Sequence, residues 1–334
     1  MIKIFAKSEE SFVSGSRIHP LFKAIGVFLF ICLAFLLATR EFGIAKDDFN
    51  YYNHFSNARY LEIGKIFSYL IEEPLWKLYT WGMTLIFPPM IAFKLTIFLS
   101  VMLFLLSSFR VNSKIYLFII LVFIFHQDFA TQMYFNQLRQ GFALSIFLFI
   151  TTYKRKPILG GVIATLIHTS FIIPFVLLLL ILKVKSIKKI FIYSIVGIAV
   201  LFLNISFLKQ IDLGRRGDSY LFENKFTINF YLISLIKYVP LLFLIQFYGE
   251  KNLSKFWYKL ALSSFIVILP FTLFYNAAGR LMYYVNVFFL LMILEHYKSV
   301  GGKVALFYFL FFLFFELFFF NFSVFDEWLR IINL

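Results

Sequence analysis

An all-α, polytopic integral membrane protein is the fold class that the sequence predicts, on three observations. Of 334 residues, 61% are hydrophobic and only 15% charged, whereas soluble domains run near half apolar and a quarter charged. Apolar stretches of roughly 12–20 residues alternate with short charged links, the pattern of membrane-crossing helices. The net charge of +15 follows those links and therefore reads as the excess of Lys and Arg on cytoplasmic loops, so no nucleic-acid partner is expected. Cys32 is the one cysteine; it excludes an internal disulfide and a thiolate metal site. No HExxH, GxGxxG or GxxxxGK[ST] pattern occurs, so no metal and no cofactor are expected.

The elements follow in order. Residues 21–38 form a retained first helix with a cytoplasmic N-terminus, because the run is long for a signal peptide and lacks a cleavage site. Residues 39–73 form an outer loop holding six acids and four bases. Residues 74–87 are short for a span and carry Trp76 and Trp81, so they are expected as a re-entrant or surface-lying helix closed by Pro88-Pro89. Spans at 90–108, 115–133 and 139–153 lead to the basic triplet Lys154-Arg155-Lys156. Residues 158–182 lie between two basic links, at 154–156 and 183–189. They are expected to cross twice as two short helices that turn at His168-Thr169-Ser170. Spans at 190–207, 229–248, 258–275, 281–297 and 304–322 follow, with a second outer loop at 208–228. The expectation is a single transmembrane domain over 1–334, with about eleven spans and one re-entrant helix.

The charge count agrees with this topology. Counting Lys23, Lys259 and Glu295 as inner, the inner links and ends carry 18 Lys and Arg against 4 acids, and the rest of the chain 14 against 13. Lys follows the rule, 15 to 7, but Arg reverses it, 3 to 7. Guanidinium grips phosphate or carboxylate with a two-pronged fork, so outward Arg suggests a bound anion.

Several residues stand out against this background. Asn136, Arg139 and Gln140 open a span. Gln132, Asn136 and either Arg139 or Gln140 share a helix face too polar for lipid, which points to a cavity, or to a helix cap with a snorkelling Arg. Arg280 opens another span with Tyr283 and Tyr284 near its face, as a site or as an interfacial anchor. Gly160, Ala164 and His168 recur every four residues, a stripe that lets another helix pack beside the imidazole. Asp47-Asp48-Phe49-Asn50-Tyr51-Tyr52 pairs carboxylates with aromatics, as sugar sites do. Glu72 and Glu73 precede Pro74, where capping of the next helix is the simpler role for either. Arg215 and Arg216 lie in the second outer loop, as anion ligands or as solvated charges. Lys237 and Glu316 lie deep in spans as a structural pair.

The order Arg40, Asp48-x-x-x-Tyr52, Glu72-x-Pro74, Asn136-x-x-Arg139-Gln140, His168-x-Ser170 and Gly279-Arg280 resembles the EpsG family over residues 40–295. That family is grouped with the Wzy-type O-antigen and capsule polymerases. The resemblance implies a GT-C-like membrane fold and a glycosyltransferase that joins oligosaccharide repeat units carried on undecaprenyl diphosphate. It implies an active site at the outer face of the bacterial inner membrane, with membrane lipids and a chain-length regulator as partners. A departing diphosphate needs fixed positive charge and the acceptor hydroxyl needs a base. Arg139 and Arg280 are then the expected diphosphate ligands, helped by Arg215 or Arg216. Asp48, Glu72 or His168 is the expected base, with the carboxylates favoured because they also orient sugar hydroxyls. Arg40, Tyr52, Asn136, Gln140 and Tyr283 complete the expected substrate contacts. The competing functions are a membrane O-acyltransferase, a lipid-linked oligosaccharide flippase and a glycan ligase.

Overall fold

A computed structural model describes residues 20–62, 64, 73–112, 116–125, 133–134, 136–184, 256–271 and 281–295, with isolated positions between 189 and 311. The described residues that fall in regular elements are helical. The chain divides into two compact units, Met1–Phe175 with Phe309–Leu334, and Val176–Tyr308.

The first unit is built around α4. Helices α1 (Pro20–Thr39) and α4 (Pro89–Val111) are the two long and apolar enough to cross a membrane; at ~1.5 Å rise per residue each reaches about the ~30 Å of a hydrocarbon core. On α1 the buried residues Phe30, Leu33, Ala34 and Leu37 make one face, and the opposite face exposes Phe28, Ile31 and Phe35. Both faces are apolar, which suits protein on one side and lipid on the other. Helix α4 packs on α1, on α5 (Tyr116–Phe125) and on α6 (Leu138–Tyr153). Several hydroxyls on these buried surfaces are satisfied within their own helices, whereas those of Ser108 on α4 and Thr151 on α6 have no partner among the described residues. Thr96 and Ser100 on α4 and Thr152 on α6 each donate to the carbonyl four residues earlier, as a water-free setting demands.

The expected outer loop contains a helix that the sequence reading did not place. Helix α2 (Asp48–Ala58) buries Asp48, Tyr51, Phe55 and Ala58 along one face and packs on α4 and on α3 (Pro74–Ile86). Its spacing of three, four and three residues is helical, but it is carried by polar and aromatic side chains rather than by an aliphatic stripe. Helix α3 confirms the expected short helix at 74–87. It touches α2, α4 and α7 and leaves Leu85 and Ile86 exposed at its end. Pro74 takes its first position and Pro89 that of α4, where a missing N–H costs nothing.

A break at His168 is present, but the helices on either side of it do not pack along one another, so the expected turn back and double crossing are not shown. Helix α7 (Pro157–Ile167) ends at His168, a short 3₁₀ turn Thr169–Phe171 follows, and α8 (Ile172–Lys183) resumes. Only Lys154, Arg155 and Lys156 join α6 to α7, so the two run antiparallel. Arg155 takes a left-handed conformation (φ 55°) and Lys156 N–H reaches back to Ile150 O at 3.4 Å, a closure that Pro157 then caps as the first residue of α7. Gly160 lies so close to α6 that a Cβ there would stand 3.1 Å from Phe147 O. Ala164 is fully buried on the same stripe, so the small residues do admit a neighbouring helix. Counting eight residues on from Gly160 and eight back from Phe147 brings His168 level with Arg139.

One expected helical face needs correction. Met133, Tyr134 and Asn136 belong to a wide π-type turn, and α6 begins only at Leu138. Asn136 therefore precedes the helix and does not share an α-helical face with Arg139; Gln132 lies outside the described residues. The turn is tight. A Cβ at Gly141 would stand 2.5 Å from the Met133 carbonyl oxygen, whereas one at Gly82 on α3 meets nothing within 4 Å. Gly141→Ala is expected to destabilise the protein by roughly 1–3 kcal/mol. Gly82→Ala is expected to stabilise it by about 0.4–1 kcal/mol. Thermal unfolding of the detergent-solubilised variants checks both signs.

The second unit holds α9 (Phe256–Phe271) and α10 (Leu281–Glu295). From Tyr284 to Leu294 every residue of α10 is buried, so protein surrounds it on all sides. Phe289 meets the rings of Tyr238 and Phe265 at 4.6 and 6.1 Å, and Glu295 Oε2 accepts the Trp257 N–H at 3.1 Å. The expected spans at 190–207, 229–248 and 304–322 fall outside the described residues, isolated positions aside, as do Lys237 and Glu316.

Candidate functional site

The site forms where α2, α3, α6 and α7 meet in the first unit. Its centre is Glu73, the residue just before α3. A residue that precedes proline is driven out of the right-handed helical region, and Glu73 takes the left-handed one (φ 59°, ψ 58°). For a side chain larger than Gly this costs energy that the surroundings must hold in place. The Glu73 carbonyl accepts the N–H groups of Trp76 and Lys77 at 3.0 and 3.1 Å, which starts α3, but its side chain makes no cap bond. Instead one carboxylate oxygen meets Arg139 Nη1 on α6 and the other meets Nδ1 of His168 at the end of α7. The backbone N–H of Thr169 also donates to this carboxylate. The site lies only 7–9% exposed at Glu73 and His168.

The electrostatics favour an ionised carboxylate. Burial pushes the Glu73 pKa up, but the bond and charge of His168, the charge of Arg139 and the Thr169 N–H outweigh it and lower it to about 2. Three charge-competent groups thus share one desolvated cluster. The geometry also fixes the imidazole. His168 is extended (φ −147°, ψ 115°), its N–H bonded to Ala164 O and its carbonyl accepting from Phe171 N–H, both at 2.9 Å. With Nδ1 held by Glu73, Nε2 is the ring nitrogen that points away from the pair. Carboxylate on one nitrogen and an open second nitrogen is the arrangement of an oriented general base.

Tyr51 adds a fourth group. Its ring is buried against Trp76 (6.4 Å, edge-on) and Phe93 (6.5 Å, stacked). Its phenol is in hydrogen-bonding contact with Arg139, which opposes the upward push of burial on its pKa. Trp76 in turn meets Phe142 of α6 at 6.0 Å and Phe55 of α2 at 5.8 Å. An aromatic floor therefore joins the helices beneath the charged cluster. Arg139 Nε is buried and has no hydrogen-bond partner among the described residues.

Arg40 and Asp48 form a separate pair. Two guanidinium nitrogens donate to the two carboxylate oxygens at 2.6 and 2.5 Å. Asp48 Oδ2 also accepts the N–H groups of Gly43 and Ala45 at 2.9 and 3.2 Å. Both side chains are essentially inaccessible, at 2% and 0% exposure. The carboxylate is filled by four donors, and the pair fastens the end of α1 to the start of α2. Asn136 Oδ1 ties the same loop to α6 through the Lys46 N–H at 3.2 Å.

Of the residues expected from the sequence, Arg139 and His168 come together at one cluster, with Asn136 at the loop beside α6. Gln140 is buried one residue after Arg139. Arg40 and Asp48 meet each other rather than the cluster, and Tyr52 lies beside Phe42 at 5.6 Å. Tyr283 occupies the first turn of α10 in the other unit. Glu72, Arg215, Arg216 and Arg280 lie outside the described residues. Two residues of the cluster were not singled out. The sequence presents Glu73 only as a cap and Tyr51 only as part of an aromatic loop; the helical spacing of Asp48, Tyr51, Phe55 and Ala58 is the signal that separates Tyr51 from Tyr52.

The model of the EpsG family matches residues 23–333, and the chain belongs to that family. No curated protein and no solved structure matches the chain. Membership and the apolar helices together make it a membrane protein, and membership supports a polymerase of the Wzy/EpsG type in general.

Proposed function

We propose that this EpsG-family chain polymerises surface polysaccharide by joining lipid-diphosphate-linked oligosaccharide units, and that His168 is the general base. The observation that supports this reading is the Glu73–His168 pair, with Arg139 on the second carboxylate oxygen. In the proposed step a sugar hydroxyl of the acceptor unit attacks the anomeric carbon of the growing chain. The new C–O bond forms as the bond from that carbon to the phosphate oxygen breaks. The hydroxyl proton passes to His168 Nε2, and the lipid diphosphate departs with the bonding electron pair. Glu73 holds the imidazole in the tautomer that can accept that proton and steadies the imidazolium that results.

The departing diphosphate needs compensating charge. Arg139 is already paired with a carboxylate, so Arg280, Arg215 and Arg216 are the arginines we assign to the leaving group. Undecaprenyl is the proposed lipid. The proposed setting is the bacterial inner membrane, crossed about eleven times with the N-terminus inside and the site outward. Asp48 is not assigned as base, because four donors already occupy its oxygens, and Glu73 orients His168 without itself taking the proton.

The test is His168→Ala in the native host, read as the surface-glycan ladder together with protein abundance. Single capped repeat units at parental abundance are expected, with turnover of the purified variant lower by roughly 10²–10⁴-fold, the contribution of a general base. A normal ladder defeats the assignment. Loss of all surface glycan indicates a flippase, and a ladder of normal length lacking acyl groups indicates an acyltransferase.

A further inference from the structure

The charged cluster leaves one question about its own geometry: what keeps Arg139 from taking both oxygens of Glu73. A guanidinium beside a carboxylate favours the two-pronged pair, as Arg40 and Asp48 show a short distance along the chain. At Glu73 the pair is one-pronged. Nη1 of Arg139 meets Oε2 only, and Oε1 is left for His168. The group that competes for the guanidinium is Tyr51, whose buried phenol is set against both the backbone N–H and the side chain of Arg139. We propose that Tyr51 is a positioning residue: it turns the Arg139 guanidinium so that one Glu73 oxygen stays committed to His168.

The placement of Tyr51 supports this. It is three residues after Asp48 on the buried face of α2, and Asp48 is locked to the end of α1. Its ring is held by Trp76 and Phe93, so the phenol has little freedom to leave Arg139. The path runs from the Arg40–Asp48 fastener through Tyr51 and Arg139 to Glu73 and the imidazole. Tyr51 touches no reacting atom in this scheme and acts only through Arg139. The inference rests on the assignment of His168 as base.

The experiment uses the purified full-length protein and its lipid-linked repeat unit, with Tyr51→Phe, Glu73→Gln, the double variant and His168→Ala compared. Tyr51→Phe keeps the ring and removes the phenol oxygen. Its kcat is expected to fall roughly 10- to 100-fold, the scale of a misplaced reacting group, with KM within about twofold of parent, since binding contacts are untouched. The double variant is expected to be no slower than Glu73→Gln alone, because both changes act on one contact. Parental kcat in Tyr51→Phe, a rise in KM without a fall in kcat, or effects that multiply in the double variant overturns the inference. If His168→Ala is slow while Tyr51→Phe is parental, only the positioning role falls. If His168→Ala turns over normally, the base assignment falls and this inference falls with it.

Discussion

Glu73→Gln is expected to abolish polymerisation in cells and to slow the purified enzyme by roughly 10²–10⁴-fold, the full contribution of the base it orients. The replacement keeps the shape and removes the charge. The amide offers His168 either an oxygen or an NH₂, so the tautomer is no longer dictated, and Arg139 loses its counter-charge. The sign of the pH dependence follows from the lowered pKa of about 2. A depressed carboxylate pKa contributes stability that is fully present above the ordinary value near 4.5 and is lost as pH falls toward about 2. Glu73 therefore remains ionised through the whole range in which such an enzyme is assayed. Any acid limb of the rate profile above pH 4 belongs to another group. Rates of parent and Glu73→Gln between pH 4 and pH 8, with abundance and melting temperature alongside, check this. A variant that polymerises normally, or a parent whose Glu73 titrates near 4.5, refutes the cluster.

The second large effect is on stability rather than chemistry. Asp48→Ala removes the carboxylate that neutralises a buried Arg40 and leaves the Gly43 and Ala45 N–H groups without their acceptor. Breaking a buried ion pair from one side costs about 3–5 kcal/mol, which is a large share of the ~5–15 kcal/mol that holds a folded protein. Little folded protein is expected to accumulate. Arg40→Met with Asp48→Leu removes the stranded charge and is expected to restore part of the lost abundance, because a buried pair replaced on both sides is far less damaging than one left half-made. A catalytic Asp48 predicts the opposite: a well-folded, inactive Asp48→Ala, and no recovery in the double variant. Abundance, melting temperature and turnover per folded molecule separate the two outcomes.

The helices legible in the sequence are those whose signal is apolar length or punctuation. The first span, the short helix after Pro74, the helix after Pro89 and the break at His168 all lie within a few residues of where they were expected. The stripe Gly160, Ala164 and His168 correctly announced a close helix partner, because close approach depends on side-chain size, which is written in the residue. Helix α2 was hidden, since its buried face begins with a carboxylate whose partner, Arg40, is eight residues away, just beyond the end of α1. No periodicity of apolar residues reveals a face that is buried through an ion pair. The choice between Glu72 and Glu73 was hidden for a different reason. Adjacent identical side chains differ only in the direction their backbone gives them, and that direction comes from a left-handed turn that Pro74 encourages but does not specify. Tyr51 and Tyr52 posed the same problem until the helix fixed which of them faces inward.

The tight three-residue link between α6 and α7 makes α7 a ruler. Its Gly160 end is seated on Phe147, and its far end delivers the imidazole to Glu73. One residue gained or lost between them swings His168 by about 100° and shifts it by about 1.5 Å along the axis. Side chains on the outer surface of α7, such as the exposed Leu159 and Val162, are free to vary among apolar types. The number of residues from Gly160 to His168 is not. Among related chains, drift in this helix is therefore expected in composition, and changes in length are expected only in the segments that precede the link or follow Phe171.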